Sequence, residues 1–349
     1  MDRAIDYCIE TTSNRKFDPD SIRKCGVWDE DGAAVYHAGN AVYLFSPENE
    51  QKLPFLPVDH ARTGKPLYLP GKPLLAPSDD ILTDEEGKVV AEFIEAHSWK
   101  REEDAFLCLG LVTQAILSGY LHFRAHGWIN APAGTGKTTL RKSIELLIGG
   151  VARYFKGLET TDAGLRQKLE SDSCPVIFDE ADSDNPAKTA NMVRILALLR
   201  TATDGDVGST KGGAHGKSVT YLMRNAFLLF SVRSMIEKAS EQSRIFELEL
   251  DKKEPSEAAP VFRRHDELAA VIRSGDLGRK YVTRIMHHAP AIRRNIETLR
   301  QYLSDQGEEG RRAEMFSTVY AAAHFVTSGE DLTPRDMQEC AAMASGSDY

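Results

Sequence analysis

Ala131-Pro132-Ala133-Gly134-Thr135-Gly136-Lys137-Thr138-Thr139 decides how this sequence is read. A short apolar run, Gly127-Trp128-Ile129-Asn130, precedes it. A helix predicted over Lys137 to Ile148 follows it and stops at Gly149-Gly150. Strand, glycine-rich loop and helix, in that order, turn a GxxxxGK[ST]-type spacing into a phosphate cradle. The glycines let backbone N–H groups turn inward with no Cβ in the way. The helix N-terminus adds its partial positive charge. Lys137 then reaches the β- and γ-phosphates of a nucleotide, and the Thr138 hydroxyl is placed to bind Mg2+. Ala131 stands where the motif has its first glycine. Gly134 and Gly136 keep the turn flexible, so the alanine is expected to be tolerated.

With 349 residues the chain is long enough for two or three domains and an ample core. Its net charge of -9 argues against a surface that is basic all over, so any nucleic-acid contact must be local, in a groove or pore. Five cysteines (Cys8, Cys25, Cys108, Cys174, Cys340) are scattered without a CxxC pair, which fits a reduced cytoplasmic protein better than a disulfide or zinc scaffold. No apolar stretch is long enough for a bilayer, and Met1-Asp2-Arg3 leads into no signal-peptide core, so no membrane partner is expected.

Before the loop, a short helix is predicted from Arg3 to Thr11. A β-meander then runs through Val27-Trp28, a turn at Asp31-Gly32, Ala34 to Tyr36 and Ala41 to Phe45. Residues 53–77 are rich in Pro and Gly and promise little regular structure. His37 and His60 read as isolated structural histidines. From Thr83 the period becomes helical, and Ser98 is the expected N-cap of a helix carrying Phe106, Leu107, Leu109, Leu111, Val112, Ala115 and Ile116.

After Gly150, Val151 to Phe155 reads as a second core strand, and Thr161-Asp162 starts a helix through Leu165 and Leu169. Next comes Cys174-Pro175-Val176-Ile177-Phe178-Asp179-Glu180-Ala181-Asp182. A run this apolar suits a parallel strand covered on both faces. Its two terminal carboxylates are what a Walker B strand requires. Asp179 would hold Mg2+ through water, and Glu180 would polarise an attacking water as general base. A helix follows from Asn185-Pro186 to Thr203, with Val193, Ile195, Leu196, Leu198 and Leu199 towards the core. Gly205 to Gly216 is read as a mobile glycine-rich loop with cations. Phe227 to Phe230 is a buried strand ending at Ser231. A short helix leads to Gln242-Ser243-Arg244, and Ile245 to Leu250 closes the sheet. Residues 251–258 mark a boundary. Helices follow, with breaks near Gly275, Pro290, Gly307 to Gly310, and Gly329 to Thr333; the last, Pro334 to Met343, leads into a polar tail.

This order of parts resembles the AAA+ layout, and within it the superfamily 3-like replicative helicases of phages and mobile elements, which are primase-associated P-loop ATPases. The resemblance covers residues 98–255 well and the tail loosely. It reaches the N-terminal stretch only through Gly26-Val27-Trp28-Asp29-Glu30-Asp31-Gly32. It implies an α/β fold: a P-loop AAA+-like parallel sheet covered by helices, with a small β-rich module over 1–97, an ATPase core over 98–255 and a helical lid-like region over 256–349.

It further implies an ATP hydrolase with ATP and Mg2+ as cofactors, working as a homo-oligomeric ring, a hexamer, on single-stranded or forked DNA, with a primase module as a further expected partner. By the same resemblance Ser231 falls at sensor 1, where Asn is more usual, and Arg244 at the arginine finger that reaches a neighbouring subunit's nucleotide. Lys211, His215 and Lys217 fall on the pore loop or hairpin that grips DNA. Nothing in the sequence selects a sensor 2 arginine among Arg263, Arg293 and Arg294. Asp179-Glu180-Ala181-Asp182 also spells the DEAD-box signature, but the chain beyond it is too short for a second RecA-like domain. Two other classes stay open: a P-loop kinase, which the Glu beside Asp179 disfavours, and a regulatory or remodelling AAA+ protein, which would carry aromatic pore residues where this loop has Lys and His.

Overall fold

The structure is a computed structural model and describes residues 22–45, 66–157, 160–181, 186–204, 209–212, 218–221, 223–308 and 310–346. The helix expected over Arg3 to Thr11, and His60, lie outside these residues. The described chain begins with β1 (Ile22–Arg23) and an antiparallel meander of β2 (Gly26–Glu30), β3 (Ala33–His37) and β4 (Val42–Phe45). Its first turn falls on Asp31-Gly32, whose φ values of 54° and 88° satisfy a two-residue turn that follows the strand twist. β5 (Leu67–Tyr68) pairs in parallel with β1, a piece of regular structure inside the Pro- and Gly-rich stretch.

Two helices come next, α1 (Asp84–Glu95) and α2 (Glu102–Ile116). Thr83 and Glu86 cap α1 reciprocally. The N-cap of α2 is Arg101 rather than Ser98. The Ser98 carbonyl accepts from Asp251 N–H (2.7 Å) and Lys100 N–H donates to Glu249 (2.9 Å), so residues 98–100 are drawn into extended pairing and the helix starts later.

The central part runs β6 (His126–Asn130), α3 (Lys137–Ile148), β7 (Arg153–Lys156), α4 (Asp162–Leu169), β8 (Val176–Asp179) and α5 (Pro186–Asp204). It continues with β9 (Ser209–Gly212), β10 (Ser218–Tyr221), β11 (Phe227–Ser231), α6 (Ala239–Gln242) and β12 (Ile245–Glu249). Five of these strands form one parallel sheet in the order β12-β6-β11-β8-β7. Successive side chains point to opposite faces. Ile129, Ile177, Leu228, Phe230 and Leu248 join the core shared with α2 and α3. Trp128, Val176, Phe178, Phe227 and Leu229 join the core shared with α4 and α5. The result is three layers, helix on sheet on helix.

Four local expectations change. β7 starts at Arg153, at the sheet edge. The stretch read as a mobile loop contains β9, which pairs antiparallel with β10 just beyond it, Val219 opposite Lys211; Thr210, Val219 and Thr220 are β-branched and favour extended backbone. On α5, Val193 is 44% exposed, so the core face is Met192, Ile195, Leu196, Leu198, Leu199 and Ala202. Finally, a helix already begins at Pro255, which sits at N1 where its missing N–H leaves no bond unmade.

That helix, α7 (Pro255–Ser274), opens the helical region, followed by α8 (Leu277–His287), α9 (Ala289–Asp305), α10 (Gly310–Thr327) and α11 (Pro334–Gly346). The α8–α9 break is at His288, and Pro290 occupies the first turn of α9. α10 packs against α1, α2 and α9. The approach is closest at two glycines: a Cβ on Gly87 or Gly110 would meet the carbonyls of Val326 or Val319 at 1.9 Å and 2.2 Å. One apolar cluster runs from Val27 through the sheet to Ala344.

Candidate functional site

The C-terminal ends of the parallel strands line up along one edge, where Asn130 pairs with Ser231, Phe230 with Asp179, and Asp179 with Lys156. The loop after β6 is anchored by Ala131 N–H donating to Ser231 O (3.0 Å), and the turn after β8 by Ala181 N–H donating to Phe230 O (2.9 Å). Both are therefore tied to β11, which holds β6 and β8 two strand spacings apart, about 10 Å.

The loop has the form its glycines allow. Gly134 and Gly136 take φ values of 83° and 98°, and nothing lies within 4 Å of where a Cβ would stand on either. Thr135 turns back on Pro132, whose carbonyl accepts its N–H (3.2 Å) and its hydroxyl (2.8 Å). Ala131 is 1% exposed and keeps a negative φ, a conformation that does not call for glycine. Pro132, Ala133 and Thr138 are exposed, and Lys137 and Thr139 are half-buried at the start of α3. Among the described residues the Lys137 ammonium has no ion-pair partner. An open loop, free N–H groups at a helix start and an uncommitted lysine fit an anionic phosphate chain. Thr138 and Asp179 are the oxygens that would face a hard divalent cation. No group of three or more metal-ligating side chains occurs among the described residues.

Asp179 is half-buried and already engaged. One carboxylate oxygen accepts from Glu180 N–H (2.9 Å). The other lies 3.1 Å from Arg141 Nε and 3.4 Å from the Tyr154 hydroxyl. Glu180 is exposed and adopts φ 58°, a left-handed conformation that is uncommon outside Gly and Asn. Lys156 Nζ stands 3.9 Å from it, a pair more than half exposed and so well screened.

The other candidates fall elsewhere. Ser231 is fully buried. Its hydroxyl accepts from Trp128 Nε1 (2.6 Å) and donates to Arg233 O (2.7 Å), so it is committed within the fold. Arg244 lies just before β12, at the opposite end of the sheet, where its carbonyl accepts from His126 N–H (2.9 Å). Its guanidinium donates to Ser240 O (2.7 Å) and Ser243 Oγ (3.1 Å), while its buried Nε–H finds no acceptor. Burial, then the nearby Arg311, lower its pKa from the usual arginine range. Lys211 is on β9, whereas His215 and Lys217 lie outside the described residues. Arg293 is bound to Asp29 (2.7 Å) and His122 (2.5 Å). Arg141 and Tyr154 were not singled out from sequence. The available signal was spacing, since Arg141 is four residues after Lys137 and shares its helix face.

Compared with known protein families and with curated proteins, the sequence matches none.

Proposed function

We propose that this chain is an ATP-driven, Mg2+-dependent P-loop motor of AAA+ type, working as an oligomeric DNA helicase or translocase in phage or mobile-element replication. The observation that carries the reading is the meeting of two motifs at one sheet edge: the open 131–139 loop at the end of β6 and Asp179-Glu180 at the end of β8, both tied to β11. In this reading the loop N–H groups and Lys137 bind the phosphates, and Thr138 and Asp179 face the metal, which offsets phosphate charge. Glu180 orients and deprotonates the attacking water.

Ser231 is better explained as a brace for Trp128 than as a phosphate sensor. Arg244 precedes a strand whose far end borders the site; five residues at about 3.3 Å each put roughly 16 Å between the two, so it serves a neighbouring subunit's nucleotide or none. The β9–β10 pair, with Lys211 and the adjoining His215 and Lys217, supplies the local cations through which an acidic chain holds single-stranded DNA. Among the described residues, no helix is long and apolar enough to cross a membrane.

The test is Mg2+-dependent ATP hydrolysis with and without single-stranded DNA. Stimulation is expected, and it should vanish in Lys211→Ala/Lys217→Ala while basal hydrolysis stays. DNA affinity of the wild type should fall steeply with salt, and more gently in the double variant. Hydrolysis indifferent to DNA would favour a remodelling ATPase, and no hydrolysis would refute the motor.

A further inference from the structure

Arg141 stands at the site with no part in the proposed reaction. It projects from α3 one turn beyond Lys137, on the same face. Its Nε lies 3.1 Å from Asp179 Oδ2, and both side chains are only about one-seventh exposed (14% and 15%). A second guanidinium nitrogen is bonded to Glu145, and the group lies 5.4 Å from the centre of the Tyr154 ring. Tyr154 in turn reaches the same Asp179 oxygen (3.4 Å). Yet the buried Nε–H is not aimed at the carboxylate and donates to no acceptor. Proximity without alignment marks charge compensation rather than a finished hydrogen bond.

We infer that Arg141 is a stand-in cation, a positioning residue that competes with a divalent metal for Asp179 and so keeps free divalent ions out. A metal on its own would meet one carboxylate already claimed by a guanidinium, together with the Thr138 hydroxyl. Phosphate oxygens of a bound nucleotide would give Arg141 somewhere else to donate and leave Asp179 free. Arg141 would thus favour metal that comes with nucleotide over free metal. The inference rests on the phosphate-binding reading of the 131–139 loop.

The experiment measures Mn2+ binding to the nucleotide-free chain, by the electron paramagnetic resonance of unbound Mn2+, for wild type, Arg141→Gln and Arg141→Lys. Arg141→Gln should bind Mn2+ about tenfold more tightly, the scale of one partly buried charge contact. Arg141→Lys keeps the charge and should resemble wild type. If Arg141→Gln unfolds, Arg141→Met keeps an unbranched apolar stem and carries the same expectation. Equal Mn2+ affinity in wild type and the uncharged variant overturns the inference. Binding of a fluorescent ATP analogue across a Mg2+ series separates the two claims. Wild type that takes up no nucleotide at any Mg2+ level sinks the proposed function, whereas normal uptake with unchanged Mn2+ affinity in Arg141→Gln sinks the stand-in alone.

Discussion

Acidification should strip stability from the sheet through His126. This fully buried ring accepts Phe227 N–H at Nδ1 (3.1 Å), so its own proton must sit on Nε2, facing Leu199 O (3.0 Å) and Thr203 Oγ1 (3.1 Å). A second proton would point Nδ1–H at another N–H. Burial above all lowers its pKa from 6.5 to about 3; the Leu199 carbonyl opposes the shift, and Arg124 and Arg244 add to it. Burial, then His265, bring His97 to about 3 as well.

Both rings are neutral in the folded chain, so between pH 6.5 and about 3 the unfolded chain binds the extra protons, and stability falls as pH falls through that window. At about pH 5 each histidine forfeits about 1.5 units at 1.36 kcal/mol per unit, or about 2 kcal/mol. The pair removes about 4 kcal/mol, a large share of a typical 5–15 kcal/mol total. Urea unfolding followed by circular dichroism, at constant ionic strength between about pH 7.5 and about pH 5, measures this. His126→Gln should be less stable at the upper pH but lose about 2 kcal/mol less on acidification. A wild-type stability that stays level or rises towards pH 5, or an equal loss in the variant, would refute the argument.

Three further outcomes follow from the site. Lys137→Ala should lose binding of a fluorescent ATP analogue, while Glu180→Gln should bind it normally and hydrolyse on the order of 10²-fold or more slowly, as removal of a general base does. Arg244→Ala should bind nucleotide but lose about 10³-fold in turnover, the scale of an arginine finger; mixing it with Glu180→Gln subunits should recover activity, and a steady-state assay that shows none in any mixture counts against a shared site. Ser231→Ala should leave Trp128 Nε1–H buried without an acceptor and cost about 1–3 kcal/mol in urea unfolding, with hydrolysis at permissive temperature near normal.

Much of the glycine-rich loop and the strands and helix around it was legible because short-range chemistry dictates it. The bounds of α3 follow from Gly136 before Lys137 and the Gly149-Gly150 stop. The meander turn follows from Asp31-Gly32, and β8 from an unbroken apolar run into Asp179. What could not be read depends on partners distant in sequence. Ser98 loses its cap position because Asp251 claims its carbonyl. β9 and β10 carry too few apolar residues for an alternating pattern to appear. Ser231 reads as a polar strand end, and only the fold reveals Trp128 above it. Arg141 is an ordinary helix residue until the sheet brings Asp179 beneath it.

Glu180 sits between two fixed points. On one side the Asp179 carbonyl is held by Gly157 N–H (2.9 Å), and on the other Ala181 N–H is held by Phe230 O (2.9 Å). The peptide groups on either side of Glu180 are thus fixed by β7 and β11, and the residue left between these bonds takes φ 58°. A left-handed glutamate costs about 1–2 kcal/mol relative to an unstrained one. Glycine would fit this position with less strain, and its greater freedom in the unfolded chain would return only part of the gain. Selection for stability alone would therefore drift this position towards glycine and discard the carboxylate. The sheet edge thus sets durability against the chemistry proposed for a single residue, and a chain kept only for its fold would be expected to lose its glutamate here first.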